Sequence, residues 1–193
     1  MFTKQFGNVI VHFEPLIIVI VATLIACLII ALLVMYRGKK VNESFQSGNY
    51  DSVLINGEKL LKTYQGYAKR YKHKNTLSWI ESLHFMLAVS YFSVKNYEQF
   101  LYHINSLNQN LDIKAFWLSL YYLRQNDLDS FQSHYANIKV SDETVINRTY
   151  LESIKLYMQD KYDLAKTQII GIYADLKHPI LKQIADEVLK SKN

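Results

Sequence analysis

The stretch "GNYDSVL" at residues 48–54 recurs in altered form at three later places in the chain. The related stretches are "KNYEQFL" at 95–101, "NDLDSFQ" at 126–132 and "DKYDLAK" at 160–166. The large residue at the centre of each, here called the anchor, is Tyr50, Tyr97, Leu128 or Tyr162. Glycine, asparagine and aspartate just before an anchor suit a tight turn between helices, because they tolerate left-handed backbone or form local hydrogen bonds. The recurrence therefore predicts a series of helical hairpins.

The anchors are 47, 31 and 34 residues apart, and residue size recurs around them. Small residues stand nine positions before the last three anchors: Ala88, Ser119 and Ser153. Large residues stand six positions before the same anchors: Tyr91, Tyr122 and Leu156. The residues three, seven and ten positions after the anchors are apolar, except for Gly57 in the first unit. A hairpin with such a face cannot bury it alone, so it stacks on its neighbours.

This pattern resembles the tetratricopeptide-repeat family, whose units are helix–turn–helix hairpins with a 34-residue period. The resemblance covers residues 77–175 well and residues 41–65 loosely, and the proline that usually closes a unit is missing from all four. It implies an all-α, tetratricopeptide-like solenoid, with a generic antiparallel helical bundle as the alternative. The expected hairpins and the closing helix lie near 41–65, 77–108, 112–139, 146–175 and 178–190.

In that family the first helix of each unit lines a groove that binds an extended peptide or a helix. The resemblance transfers this role to Phe85, Val89, Phe92, Phe116, Leu120, Arg124, Tyr150, Ile154 and Tyr157. Family members that clamp a carboxyl terminus have lysine and asparagine in this groove. Here the corresponding residues are aromatic or aliphatic, which disfavours such a ligand. An apolar groove suits an amphipathic helix, which a partner, the protein's own C-terminal helix or a second copy of the chain could supply.

Residues 15–36 form a run of twenty-two positions without a charged side chain. A helix of that length spans about 33 Å, which exceeds the roughly 30 Å of a bilayer's hydrocarbon core. Three cations follow the run directly: Arg37, Lys39 and Lys40. The positive-inside rule then predicts a single-pass protein with an outer tail at 1–14 and a cytoplasmic helical domain at 37–193.

Motifs of catalysis and metal binding do not occur in the sequence. The six histidines lack metal-binding spacing, and no glycine-rich phosphate loop or nucleophile motif is present. The chain has a single cysteine, so a disulfide cannot form within it. This residue, Cys27, lies inside the apolar run. We therefore expect no enzymatic activity, no catalytic residue, no metal and no cofactor.

The densest basic stretch is "AKRYKHK" at residues 68–74. With the cations after the apolar run, it predicts contact with an anionic surface such as lipid headgroups. The residues concerned are Arg37, Lys39, Lys40, Lys69, Arg70, Lys72 and Lys74. A tyrosine among cations also suits base stacking, but nucleic acid is the less expected partner. A solvated connector is the simplest alternative.

Together these features predict a membrane-anchored adaptor or assembly scaffold that binds other proteins through an amphipathic helix or an extended peptide. Self-association into a homo-oligomer is compatible with the same groove. One alternative is a permanent structural subunit of a membrane complex. Another is a membrane-tethered lipid or nucleic-acid binder that acts through residues 69–74.

Overall fold

The computed structural model describes residues 3–6, 9–70, 74–142 and 144–191. The chain divides into two compact units, Met1–Lys40 and Val41–Asn193. Helices make up most of the described chain, so the predicted helical class is confirmed. The tetratricopeptide-like arrangement of those helices stays a prediction.

The first unit contains a short strand pair and most of a long helix. Strand β1 (Thr3–Phe6) pairs antiparallel with β2 (Val9–His12), and helix α1 (Phe13–Gln46) follows at once. The strand pair lies ahead of the helices and leaves the predicted helical class unchanged. Its second strand, "VIVH", has three β-branched residues in a row, a composition that favours extended backbone over helix.

Helix α1 contains a segment that is long and apolar enough to cross a membrane. Among the described residues, no other helix has such a segment. The most apolar window of α1 has a mean hydropathy of 3.4, and none of that window is buried. Apart from Val34, the large apolar side chains from Leu16 to Met35 are 48–69% exposed. Exposed apolar surface on this scale is unfavourable in water, so the segment suits a hydrocarbon environment by length and by composition.

The second unit is built from the end of α1 and the helices that follow it. These are α2 (Tyr50–Arg70), α3 (Lys74–Ser93), α4 (Tyr97–Asn105), α5 (Leu111–Arg124), α6 (Leu128–Tyr135), α7 (Val145–Met158), α8 (Tyr162–Ile172) and α9 (Pro179–Lys190). A 3₁₀ turn at Tyr173–Asp175 precedes α9. The main helix contacts are within the pairs α3–α4, α5–α6 and α7–α8, and between α2 and α3.

The four predicted turns share one backbone geometry. The residue two positions before each anchor has a left-handed φ angle: Gly48 (75°), Lys95 (60°), Asn126 (58°) and Asp160 (59°). The N–H of the next residue donates to the carbonyl five positions back, as from Asn49 to Ser44 at 2.8 Å and from Asn96 to Tyr91 at 2.9 Å. This is the Schellman motif, which satisfies the last carbonyls of one helix. The anchor then becomes the first residue of the next helix.

The left-handed turn residues give a matched pair of stability predictions. Lys95→Gly is expected to raise the free energy of unfolding by about 0.5–1 kcal/mol, because glycine adopts this φ angle without a Cβ penalty. Gly48→Ala is expected to lower it by about 1–2 kcal/mol, since it adds that penalty and a Cβ only 3.2 Å from the Cβ of Pro179. Urea unfolding of the full chain in mild detergent, followed by circular dichroism, measures both. Changes of the same sign in the two variants would contradict the prediction.

The positions that carry the recurrence are buried inside the hairpins. The small residues nine positions before the anchors are fully buried: Ala88, Ser119 and Ser153. The Ser119 and Ser153 hydroxyls donate to carbonyls one turn back at 2.7 Å, which removes the cost of burying them unpaired. Gly57 lies against Leu87, and an added Cβ there would come within 3.1 Å of the leucine Cδ2. The irregular glycine of the first unit therefore marks a close helix approach.

Candidate helix-binding groove

The nine residues predicted to line a groove lie on α3, α5 and α7, and most of them are buried. Six are at most 4% exposed: Val89, Phe92, Phe116, Leu120, Tyr150 and Ile154. The other three are half-buried: Phe85, Arg124 and Tyr157. We call these nine residues the groove. This face is not open to solvent along its length, because α9 lies against it.

The start of α9 is held by the first hairpin. The backbone N–H of Ile180 donates to the hydroxyl of Tyr50 at 3.1 Å. The first N–H groups of a helix have no partner within the helix, and this bond satisfies one of them. Pro179 lies against Gly48, where a Cβ added at position 48 would come 3.2 Å from the Cβ of the proline. The turn glycine and the first anchor therefore both position α9.

His178, the residue just before α9, lies among aromatic rings. Its ring centroid is 4.5 Å from that of Phe45, 5.9 Å from Trp117 and 6.3 Å from Phe85, all in edge-to-face geometry. Its buried Nδ1 has no hydrogen-bond partner among the described residues. Burial lowers the pKa of His178 to about 4, because the cationic form would lose its hydration. The imidazole is therefore neutral at neutral pH.

Helix α9 also contacts α7 near its start and α5 near its end. The Tyr150 hydroxyl donates to the carbonyl of Leu181 at 3.1 Å, and burial raises the pKa of this phenol. Arg124 Nη1 lies 3.2 Å from Glu187 Oε2, with these side chains 28% and 49% exposed. The buried face of α9 is apolar: Ile180, Leu181, Ile184, Ala185 and Val188. Helix α9 is thus an amphipathic helix that packs against α8 as well as against the mainly apolar groove.

Clefts remain along the seam between α9 and the groove. One of about 370 Å³ has a mainly apolar lining that includes Phe85, Phe116, Trp117 and Leu181. Another of about 320 Å³ is lined in part by Arg124, Ile154, Tyr157, Ile184 and Val188. Both clefts are open to solvent, so α9 covers the groove without closing its edges.

A partly buried chain of polar side chains connects α2, α3 and α4. His84 Nδ1 lies 2.9 Å from His103 Nδ1, and His103 Nε2 lies 3.1 Å from Glu58 Oε1. The Tyr91 hydroxyl donates to the same glutamate oxygen at 3.1 Å. Burial, with a smaller effect of His103, lowers the pKa of His84 to about 4. In the part of the chain that the structure describes, no group of three or more His, Cys, Asp or Glu side chains is placed to hold a metal. These polar contacts join α2, α3 and α4.

The cations predicted to contact an anionic surface lie in both units. Arg37, Lys39 and Lys40 are exposed on α1 in the first unit. Lys69 and Arg70 are exposed at the end of α2, and Lys74 is exposed at the start of α3. Lys72 lies outside the described residues.

Comparison with protein-family models, with curated proteins and with solved structures finds no match to this chain. Two groups position α9: the Tyr50 hydroxyl and the His178 ring. Local sequence patterns do not reveal this role for either of them. The anchor pattern marks Tyr50 as a helix start, but it does not indicate a partner 130 residues away. No local signal marks His178 as the centre of an aromatic cluster.

Proposed function

We propose that the protein is a membrane-anchored adaptor that holds a partner protein through an amphipathic helix bound in the groove. In this proposal residues 15–36 span the membrane, with the N-terminal tail outside and the helical unit in the cytoplasm, as the cations after the span favour. The observation that carries the proposal is that an amphipathic helix, α9, already lies on this groove. A surface that binds one such helix has the shape and polarity to bind another.

The contacts between α9 and the groove specify which residue types a partner helix needs. Apolar residues in the pattern i, i+1, i+4, i+5 and i+8 would replace the buried face of α9. An acidic residue at i+7 would take the place of Glu187 beside Arg124. A proline before the first apolar residue would fit against Gly48 as Pro179 does.

Three features favour exchange of α9 for another helix. The seam contains clefts that a better-fitting helix would fill. The Arg124–Glu187 pair is partly exposed, so it adds little to the affinity of α9 for the groove. The buried Nδ1 of His178, unpaired among the described residues, costs free energy that a partner without this histidine would not incur.

Binding of an α9 peptide in trans tests the proposal. The full chain in nanodiscs is titrated with a fluorescent peptide of residues 178–191, as wild type and as Ile184→Asp. Ile184 is 3% exposed, so a carboxylate there weakens the chain's own α9 on the groove. We expect the variant to bind the peptide at least tenfold more tightly than wild type, which corresponds to about 1.4 kcal/mol. Gln183→Asp, on the exposed side of the same helix, is the matched control and should bind like wild type.

Two outcomes would contradict the proposal. Unfolding of the second unit in the Ile184→Asp chain would make α9 a permanent part of the core, as in a fixed structural subunit. A folded variant that binds no peptide would show that the groove does not accept a helix in trans. A peptide that itself carries Ile184→Asp should not bind any form of the chain.

A further inference from the structure

The paired ends of α2 and α3 form a surface that the groove does not use. Glu58 and Tyr91 are hydrogen-bonded near one end of this antiparallel pair, and Tyr64 stacks on Trp79 further along, with ring centroids 6.4 Å apart. We call residues 62–70 and 74–80 the hairpin tip. Residues 71–73, which connect the two segments in sequence, lie outside the described part of the chain and are not included.

The hairpin tip exposes large apolar and aromatic side chains. Tyr67 is 60% exposed, Trp79 is 54% exposed and Leu77 is 49% exposed. A tryptophan and a tyrosine on a protein surface are typical of the zone between lipid headgroups and hydrocarbon, where an aromatic ring with a polar group is well solvated. Single exposed apolar residues are ordinary, but here three occur together with cations.

The hairpin tip also has one sign of charge. Between Glu58 and Glu81 the sequence contains six lysine or arginine residues and no acidic residue. Four of these cations are exposed in the hairpin tip: Lys62, Lys69, Arg70 and Lys74. A cationic surface with exposed aromatic rings is complementary to anionic lipid headgroups above an apolar layer.

The hairpin tip lies at the end of the second unit where the chain enters that unit. Val41, its first residue, is 3.9 Å from a Cβ built on Gly57, and the Ser44 and Ser52 hydroxyls are 3.0 Å apart. The last turns of α1 therefore run antiparallel to the start of α2. Helix α2 continues from Gly57 to Arg70, about 20 Å beyond the level of Val41.

We infer that the hairpin tip is a second membrane contact, in which Lys62, Lys69, Arg70 and Lys74 bind anionic lipid headgroups while Tyr67 and Trp79 enter the interfacial layer. The inference rests on the membrane anchor of the proposed function but not on the groove. A cationic surface with tyrosines also suits nucleic acid. The position of the tip at the entry of the chain, and its exposed Leu77 and Trp79, favour lipid.

Trp79 provides a direct probe of this contact. The chain has two tryptophans, and Trp117 is only 2% exposed. The full chain is placed in nanodiscs of phosphatidylcholine alone or with about one third phosphatidylserine, a fraction of the lipids carrying a nitroxide quencher near the headgroup. We expect quenching of Trp79 fluorescence in the anionic discs, weaker quenching in the neutral discs, and loss of the difference at high salt. Trp79→Phe should remove the quenched signal.

Charge reversal separates a specific contact from general attraction. Replacing Lys62, Lys69, Arg70 and Lys74 with glutamate is expected to reduce quenching in anionic discs by more than tenfold. The matched control reverses four exposed lysines elsewhere in the unit, Lys139, Lys161, Lys177 and Lys190, and should keep the quenching of wild type. Equal quenching in both variants, or no quenching in any disc, would overturn the inference.

Two further readouts separate the lipid contact from nucleic-acid binding and from failure of the anchor. Polyuridylate that binds the tip of an inserted chain whose Trp79 is not quenched in any disc would assign the surface to nucleic acid and overturn the lipid contact. Co-purification of the chain with the discs tests the anchor separately. A chain that does not insert fails the proposed function, whereas an inserted chain with unquenched Trp79 fails this inference alone.

Discussion

Tyr150→Ala is expected to lower the free energy of unfolding by about 3–5 kcal/mol, the range for loss of a large buried aromatic side chain. Tyr150 is fully buried, and its ring centroid lies 6.1 Å from that of Phe116. Its hydroxyl also donates to the carbonyl of Leu181 on α9. The substitution therefore leaves a cavity between α5, α7 and α9 and removes a hydrogen bond that holds α9. Urea unfolding of the full chain in mild detergent measures the loss.

Two comparison variants divide this effect into packing and hydrogen bonding. Tyr150→Phe keeps the ring and should lower the free energy of unfolding by only about 0.5–1.5 kcal/mol. Ile170→Ala removes an apolar side chain that is 67% exposed on α8, and it should change stability by less than about 0.5 kcal/mol. A loss below about 1 kcal/mol in Tyr150→Ala would mean that position 150 faces an open groove rather than the core.

A second large effect is expected from acidification. Lowering the pH from 6.5 towards 4 should reduce the free energy of unfolding by several kcal/mol. Burial lowers the pKa values of His84 and His178 to about 4, whereas an unfolded histidine has a pKa near 6.5. Between these values the unfolded chain takes up protons that the folded chain does not bind. Stability therefore falls as pH falls, by up to about 1.4 kcal/mol per pH unit for each histidine. Above pH 6.5 this contribution to the pH dependence disappears.

The variant His178→Phe isolates one of the two groups. Phenylalanine fits among Phe45, Phe85 and Trp117, cannot be protonated, and removes the buried Nδ1. We expect the variant to gain stability over wild type as pH falls from 6.5 to 5, and to show a shallower slope of unfolding free energy against pH. The range pH 5–6.5 suits the measurement because most carboxylates titrate below it. An unchanged slope would show that His178 has the same pKa in the folded and the unfolded chain.

The turns illustrate how far local sequence patterns predict this fold. Gly48, Asn126 and Asp160 belong to residue types that favour left-handed backbone, so their turns follow from local preference. Lys95 has no such preference, and only its place in the recurring pattern predicts the turn there. The exposed apolar run of α1 is equally local, since length and composition alone mark it. The strand pair near the N-terminus lies outside the recurrence, and neither the anchors nor the apolar run predicts it.

The candidate site shows where local prediction ends. Spacing from the anchors predicts the groove residues, and they do lie on α3, α5 and α7. Spacing does not decide what covers them, because a partner helix, a second copy and α9 present the same kind of apolar stripe. Nor does it predict the Glu58–His103–His84 chain, since these residues are distant in sequence and come together only when α2, α3 and α4 pack.

Helices, turns and the apolar anchor segment follow from the amino-acid sequence because each depends on interactions among residues a few positions apart. The covering of the groove by α9 depends on contacts such as that between Tyr50 and Ile180, which are 130 residues apart. Several helices of similar hydrophobicity could cover the groove. The choice among them depends on the shape of the groove, on the size of the remaining clefts and on the pairing of a few polar atoms. Those quantities exist only after the hairpins have packed, so tertiary structure alone assigned α9 to the groove.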